Sequence, residues 1–205
     1  MTVYSIETGM LGVNSYFLIN DDTSECIIID GGENYSKICE TLNKLKVKPV
    51  ALLLTHAHFD HSLNAKLIQQ DGVKVYASVK ESEKLRNGQT LGERFHKEQE
   101  RFSPDYEFLN DETLEICGIK IKVILTPGHT DGSATFIVDD MMFTGDTLFF
   151  ESIGRTDFPT GSMAEIRESI KKLYNFKGEY KVYPGHGEAT TLSHERKFNP
   201  YIRND

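Results

Sequence analysis

In the first half of the chain, short apolar runs alternate with segments in which apolar residues have a helical spacing. Short apolar runs predict strands at residues 3–6, 13–19, 26–29, 50–54 and 73–77. Residues 35–45 instead repeat apolar residues every three to four positions, which predicts a helix, and a further helix is expected over residues 63–70. Strands and helices therefore follow one another, as in an α/β protein.

Hairpins and one long helix dominate the second half. Apolar runs on either side of Gly118 and of residues 139–140 predict two hairpins. Their strands and one last strand are expected at residues 113–117, 120–125, 134–138, 141–144 and 180–183. Ser162 opens a helical repeat over residues 162–174 and is expected to cap its N-terminus. The polar and charged residues 78–101 are interpreted as a surface excursion with helical stretches.

This order of elements predicts a fold class. Hairpins interrupted by helices indicate two mixed β-sheets packed together, with helices on their outer faces. The hydrophobic fraction of 39% and the charged fraction of 26% are those of a globular chain rather than a disordered one. We interpret residues 1–205 as a single domain, which is long enough to bury a sizeable core.

The charge balance and the cysteines narrow the functional classes. A formal net charge of -8, without a local basic patch, disfavours nucleic acid as a partner. The N-terminus lacks the pattern of a secretory signal, and the apolar runs are too short to span a bilayer. The odd count of 3 cysteines is typical of a reducing compartment. We therefore expect a cytoplasmic protein with a small-molecule substrate and without a membrane partner.

Residues 55–61, Thr-His-Ala-His-Phe-Asp-His, carry the strongest chemical signal. Three of the 7 histidines fall in this stretch together with an aspartate, directly after an apolar strand. If the extended backbone continues, His56 and His58 point the same way, and a turn at Phe59 brings Asp60 and His61 to a neighbouring point. Imidazole and carboxylate donors of this kind suit zinc or a related first-row metal.

Three later residues share the same setting at the ends of predicted strands. Each follows an apolar run and lies next to glycine, which permits tight turns: His129, Asp146 and His186. Alone, each is more typical of an ordinary turn, but together with residues 55–61 they complete a set of metal donors. His96 and His194 lack this setting and are interpreted as surface histidines. Arg155 and Asp157 are either a pair that supports the ligand loops or an ordinary ion pair.

These motifs resemble those of the metallo-β-lactamase superfamily, and within it the short-form hydrolases similar to glyoxalase II, the hydroxyacylglutathione hydrolases. Residues 55–61 match the family's T-H-x-H-x-D-H loop, and residues 154–157, Gly-Arg-Thr-Asp, resemble a segment typical of this subgroup. The segments around the three strand-end residues match the later motifs in order. The resemblance covers nearly the whole chain and implies a four-layer αβ/βα sandwich with metals at one edge.

The resemblance also implies how two metal ions are held. The first ion is assigned to His56, His58 and His129, the second to Asp60, His61 and His186, and a bridge between both to Asp146. Zinc is the expected metal, with iron or manganese as alternatives. A hydroxide that bridges the ions, oriented by Asp60, would then attack a thioester or ester carbonyl. A thiol leaving group, with a pKa of about 8.5, favours a thioester.

Several alternatives stay open at this point. The family's true β-lactamases place a cysteine at the position of Asp146, which argues against that activity here. The chain continues for only 19 residues after His186, too few for the helical segment with which the longer hydrolases grip glutathione. An iron-dependent persulfide dioxygenase, with His56, His129 and Asp146 around one iron, is the main rival. A nuclease and a module with purely structural metals are the others.

Overall fold

The computed structural model describes residues 1–202, which divide into two compact units. The first unit contains residues 1–109 and 114–120, and the second contains residues 110–113 and the described residues from 121 onwards. The expectation that residues 1–205 form a single domain stays a prediction.

A mixed sheet of six strands forms the first unit. Its strands are β1 (Thr2–Thr8), β2 (Val13–Ile19), β3 (Glu25–Ile29), β4 (Lys48–Leu53), β5 (Lys74–Ser78) and β6 (Tyr106–Phe108). Strands β1 to β3 are antiparallel, whereas β3 to β6 run parallel. Because parallel strands end at the same edge, the residues that follow β3 and β4 come together there.

Helices of the first unit bury one face against this sheet. They are α1 (Tyr35–Leu45), α2 (Phe59–Ser62), α3 (Ala65–Gln70) and α4 (Val79–Asn87), followed by a 3₁₀ turn (Gly92–Phe95). The side chain of Asn34 caps α1 by accepting a hydrogen bond from the backbone of Lys37. Ile38, Ile68 and Leu85 project from α1, α3 and α4 into one apolar cluster with strand residues such as Leu52.

The surface excursion predicted for residues 78–101 is wrong for helix α4. Leu85 is buried in the apolar core, and the side chain of Glu81 is also buried. Lys84 Nζ lies 2.6 Å from Glu81 Oε1, so the two buried charges pair with each other. The charged sequence therefore forms a helix with one buried face, and composition does not reveal which of its charges are paired.

A second six-stranded sheet contains the hairpin β7–β8, which the unit boundary divides, and the strands of the second unit. The strands from here on are β7 (Glu112–Ile116), β8 (Ile119–Leu125), β9 (Ala134–Val138), β10 (Met141–Gly145), β11 (Leu148–Phe149), β12 (Ser152–Ile153), β13 (Lys181–Pro184) and β14 (Thr190–Thr191). The order in the sheet is β7-β8-β9-β10-β13-β14, with β11 and β12 as a separate ribbon. Strands β8, β10 and β13 point the same way, so their carboxyl ends share an edge.

Two helices complete the second unit: α5 (Met163–Tyr174) and α6 (Leu192–Phe198). The predicted cap is confirmed, since Ser162 Oγ accepts a hydrogen bond from the backbone of Glu165. Ile170 and Leu173 of α5 are buried against Met142 and Val182 of the sheet. The apolar stripe of this helix thus supplies much of the core of the unit.

The structure also describes the cysteines and the lengths of the helices, on which the predictions about compartment and membrane were based. All three cysteines are free thiols, and burial raises the pKa of Cys26 to about 12, so this thiol stays protonated and unreactive. Among residues 1–202, none of the helices is both long and apolar enough to cross a membrane.

Replacing Leu173 should destabilise the second unit. The side chain is fully buried in the apolar cluster, so Leu173→Ala should lower the free energy of unfolding by about 2–5 kcal/mol, measured by urea denaturation. Arg167→Ala, on the exposed face of the same helix, is the matched control and should change it by less than about 0.5 kcal/mol. Equal effects of the two substitutions would contradict this packing.

Candidate metal centre

Four predicted donors of the first unit lie on the buried loop that leaves β4. The side chains of His56, His58, Asp60 and His61 are all buried. His56 Nε2 lies 3.1 Å from His58 Nδ1, as expected when alternate residues of an extended backbone point the same way. The two imidazoles therefore present nitrogen atoms to one point.

A short helix, rather than the single predicted turn, places the other two donors. Helix α2 begins at Phe59 and reverses the chain, so the ring of His61 returns to within 4.1 Å of the ring of His56, measured between centroids. His61 Nε2 then lies 3.7 Å from Asp60 Oδ2. The structure thus brings the four donors of this loop together.

Asp30 is a functional residue that the sequence reasoning missed. It follows β3, is buried, and has a φ of 58°, in the left-handed region. Its Oδ1 accepts a hydrogen bond from the backbone N–H of Thr55 at 2.8 Å, and its Oδ2 lies 2.8 Å from both Thr55 Oγ1 and His61 Nδ1. The available signal was an aspartate directly after a fully apolar strand, which is equally typical of the end of an ordinary strand.

This carboxylate determines which ring nitrogen of two histidines carries the proton. His61 Nδ1 donates to Asp30, which leaves Nε2 as the nitrogen that can bind a metal. The hydroxyl of Thr55 also donates to Asp30, so Thr55 Oγ1 accepts from His56 Nδ1 at 3.1 Å. His56 Nε2 is therefore also left with its lone pair.

Further contacts hold the backbone of the same loop. Buried Glu81 accepts a hydrogen bond from the N–H of Ala57 at 2.8 Å. The carbonyl of His61 accepts from the N–H groups of Gly31 and Gly32, at 2.9 and 3.1 Å. Buried backbone groups are costly to leave without partners, so these bonds fix the path of the loop.

In the second unit, the three strand-end residues also come together. His129, Asp146 and His186 follow β8, β10 and β13 at the shared edge of the sheet. Asp146 Oδ2 lies 3.5 Å from His129 Nε2 and 3.7 Å from His186 Nε2. One carboxylate oxygen therefore faces two imidazoles.

The backbone of residues 154–155 positions His129 and Asp146. His129 Nδ1 lies 2.8 Å from the carbonyl oxygen of Arg155, which can only accept, so this nitrogen carries the proton and Nε2 is left to bind a metal. A Cβ atom on Gly154 would lie 1.7 Å from the carbonyl oxygen of Asp146. Only glycine fits this close approach.

The side chains of Arg155 and Asp157 form an ordinary ion pair. Two hydrogen bonds of 2.7 Å join the guanidinium to the carboxylate, and Arg155 also stacks on the ring of Phe158 at 3.8 Å. Both side chains are more than half exposed, so solvent screens the pair. In the structure it is the carbonyl of Arg155, not its charge, that supports a donor.

The two remaining histidines belong to none of the groups of side chains that could hold a metal. His96 is exposed, as predicted. His194 is only partly exposed: it lies 3.0 Å from Glu151 Oε1 and stacks on Phe150 at 5.1 Å between ring centroids. Its side chain therefore has a structural contact that the sequence did not indicate.

The donor atoms of each unit fit a divalent metal. Atoms bound to one tetrahedral zinc at about 2.0–2.2 Å lie roughly 3.3–3.6 Å from each other. Around Asp146, the separation of 3.5 Å falls within this range and that of 3.7 Å lies just above it, and both exceed the usual length of a hydrogen bond. Imidazoles beside carboxylates also form a preferred donor set for first-row metals.

The model of the metallo-β-lactamase superfamily matches residues 8–186, and this span includes all seven donors. The chain belongs to the metallo-β-lactamase superfamily. Members of this superfamily bind divalent metals, and the predicted α/β metallo-β-lactamase fold, with two mixed sheets, is thereby confirmed.

Two curated proteins and one solved structure resemble this chain over at least 90% of its length. A probable metallo-hydrolase of Streptococcus pyogenes is 35% identical, over 98% of this chain and 90% of its own length. The hydroxyacylglutathione hydrolase GloC of Haemophilus influenzae is 34% identical, over 90% and 91%. The crystal structure of the BLEG-1 B3 metallo-β-lactamase superposes with a TM-score of 0.93 at 31% identity, over 99% of this chain and 100% of that one.

Asp30→Asn should weaken metal binding by this superfamily member without unfolding it. The amide nitrogen of asparagine would replace Oδ2 and cannot accept from Thr55 and His61. We expect affinity for zinc to fall by about 10- to 100-fold, measured by competition with a chromogenic chelator, while the circular dichroism spectrum stays that of the wild type. The exposed Asp22→Asn is the control; an Asp30→Asn protein with wild-type affinity would refute the role of this carboxylate.

Proposed function

We propose that this member of the superfamily is a metal-dependent thioester hydrolase of the glyoxalase II type, in which the donor groups of the two units act together. His56, His58 and His129 would hold one divalent ion, and Asp60, His61 and His186 a second. Asp146 would contact both. The observation that carries the proposal is the hydrogen bonding of three donors: His56, His61 and His129 each engage Nδ1 with an oxygen atom, and this selects the tautomer in which Nε2 is the nitrogen that can bind a metal.

The donor residues support hydrolysis in distinct ways. Bound divalent ions of this kind lower the pKa of a water molecule and polarise a carbonyl oxygen. Asp60 is the one carboxylate of the 55–61 loop, and we assign to it the orientation of the attacking water through a hydrogen bond. A C–O bond forms, the C–S bond breaks, and the sulfur leaves as a thiolate, whose conjugate thiol has a pKa of about 8.5. No strong general acid is needed for this leaving group.

The substrate class is supported by a relative and by the chemistry of the donors. GloC of Haemophilus influenzae, 34% identical, is named a hydroxyacylglutathione hydrolase. Zinc is the proposed metal because imidazole and carboxylate donors suit it, and iron or manganese are the alternatives.

β-Lactam hydrolysis is the second candidate, because the BLEG-1 structure at 31% identity is titled a B3 metallo-β-lactamase. An amide nitrogen needs protonation to leave, whereas a thiolate does not, and this difference favours the thioester for the donor set described. A chromogenic cephalosporin assayed beside the thioester separates the two activities.

Elemental analysis and a hydrolysis assay test the proposal directly. The purified protein should contain up to two divalent ions per chain and should hydrolyse S-lactoylglutathione, with release of the thiol followed by a disulfide reagent. Chelation should abolish turnover, and added zinc should restore it. One iron per chain with oxygen uptake on a glutathione persulfide would instead establish the dioxygenase, and hydrolysis of the cephalosporin alone would establish the lactamase.

Asp146→Ala should remove at least one ion per chain and lower the rate of hydrolysis by on the order of 10²-fold or more, because one carboxylate would serve both ions. Metal content by mass spectrometry and the initial rate are the measurements. His194→Ala, which removes a histidine outside the donor set, should leave both nearly unchanged. Full metal content and activity in Asp146→Ala would show that the bridging assignment is wrong.

A further inference from the structure

Glu195 is a fully buried carboxylate of the second unit that is not one of the metal donors. It lies in the middle of α6. A buried charge is costly unless hydrogen bonds offset it, so the partners of such a group show what it holds in place. Its Oε1 accepts from the hydroxyl of Thr190 at 2.7 Å. Its Oε2 accepts from the backbone N–H of Glu151 at 3.0 Å and from Asn199 Nδ2 at 2.9 Å.

The partner Glu151 lies at the tip of the β11–β12 ribbon. Because β11 and β12 pair directly with each other, the two residues between them form a tight turn. Glu151 has a φ of 48°, in the left-handed region that residues other than glycine rarely adopt. Its N–H is held by Glu195, and the carbonyl of Ser152 accepts from Asn199 Nδ2 at 3.1 Å. Helix α6 therefore holds the turn by its backbone.

The base of the ribbon adjoins the metal donors of this unit. Asp146 lies two residues before β11, and Gly154, directly after β12, packs on the carbonyl of Asp146. The next residue supplies the carbonyl that orients His129. The ring of Phe149, in β11 itself, lies edge-on to the ring of His186, at 6.3 Å between centroids. Each of the three donors is therefore next to the ribbon in sequence or in space.

Helix α6 is itself anchored in the core of the unit. Leu192 is fully buried, in the apolar cluster that also contains Leu148 and Ile153 of the ribbon. The hydroxyl of Tyr174 donates to the carbonyl of Glu195 at 2.9 Å. Burial, together with the charge of Glu195, raises the pKa of Tyr174 well above its usual value, so the hydroxyl keeps its proton. The helix is thus a fixed support for the ribbon.

We propose that Glu195 is a positioning residue for the metal donors of the second unit and acts through the β11–β12 ribbon. Its carboxylate holds the tip, and the short ribbon carries that position to Asp146 at its base and to Phe149 against His186. The inference rests on the metal assignment of the proposed function and adds to it a residue beyond the last donor. Groups that orient metal ligands in this way contribute to metal affinity.

Metal affinity and the spectrum of bound cobalt test the proposal without turnover. Glu195→Ala leaves three buried donors without their acceptor, so affinity for zinc should fall by about tenfold, measured by competition with a chromogenic chelator. The visible absorption bands of bound cobalt(II) depend on the number and arrangement of its ligands, and they should change in this variant. Asn199→Ala removes the other contact with the ribbon and should give a smaller loss of affinity.

The conservative variant Glu195→Gln should restore both properties. A side-chain oxygen at the position of Oε2 still accepts from Glu151 and Asn199. The amide nitrogen at the position of Oε1 donates to the hydroxyl of Thr190, which can act as an acceptor. We therefore expect the zinc affinity and the cobalt spectrum of the wild type.

Two neighbours on α6 separate positioning from a general loss of stability. Arg196 joins α6 to the end of α5 by donating to the carbonyls of Tyr174 and Phe176. Arg196→Gln should lower the midpoint of urea denaturation without changing the zinc affinity or the cobalt spectrum. His194 contacts only the side chain of Glu151 at the tip, and His194→Ala should leave affinity and spectrum unchanged.

The outcomes decide between positioning and simple packing. Wild-type affinity and cobalt bands in Glu195→Ala would overturn the proposal, as would an equal spectral change in Arg196→Gln. If Glu195→Ala does not fold, Asn199→Ala decides, and a wild-type affinity and spectrum in that variant would overturn the proposal. Failure of the metal-loaded wild type to hydrolyse a thioester would instead overturn the proposed function, since these measurements involve no substrate.

Discussion

The hydrogen bonds of one buried carboxylate, Asp30, organise the donor loop of the first unit. The residue adopts a left-handed conformation at the end of β3, which costs energy for any residue other than glycine, though less for aspartate than for most. Three charge-assisted contacts, with the backbone of Thr55, its hydroxyl and His61, offset this cost and the cost of burying the charge. Without them, neither His61 nor His56 would have its tautomer fixed.

In the second unit, a backbone carbonyl rather than a carboxylate orients a donor histidine. There the carbonyl of Arg155 accepts the proton of His129, as Asp30 accepts that of His61. A neutral carbonyl adds no charge to the surroundings of Asp146, which already places a carboxylate beside two imidazoles. The close packing of Gly154 on the carbonyl of Asp146 holds this arrangement together.

The donors could be predicted from the sequence because their signals are local. Residues 55–61 place three histidines and an aspartate directly after an apolar strand, and each of the three later donors follows an apolar strand and lies next to a glycine. The strands and the helix at 35–45 were predicted for the same reason, because the spacing of apolar residues along a short segment indicates which element it forms.

The residues that support the donors were missed because their roles are set by distant partners. Asp30 lies 25 positions before Thr55, and an Asp-Gly-Gly sequence after a strand is equally typical of a turn. Glu81 and Lys84 were interpreted as surface charges, yet they pair in the core, with Glu81 holding Ala57. The sequence shows that a residue is charged, but it does not show which distant group that charge will contact.

The use of a main-chain oxygen at position 155 has a consequence for comparing members of the superfamily. A carbonyl is common to all amino acids, so the orientation of His129 can be inherited through many exchanges at that position, provided that the path of the chain is kept. The side chain at position 155 therefore affects the surface ion pair and the contact with Phe158. The orientation of the imidazole depends instead on the path of the backbone, which the glycine at position 154 permits.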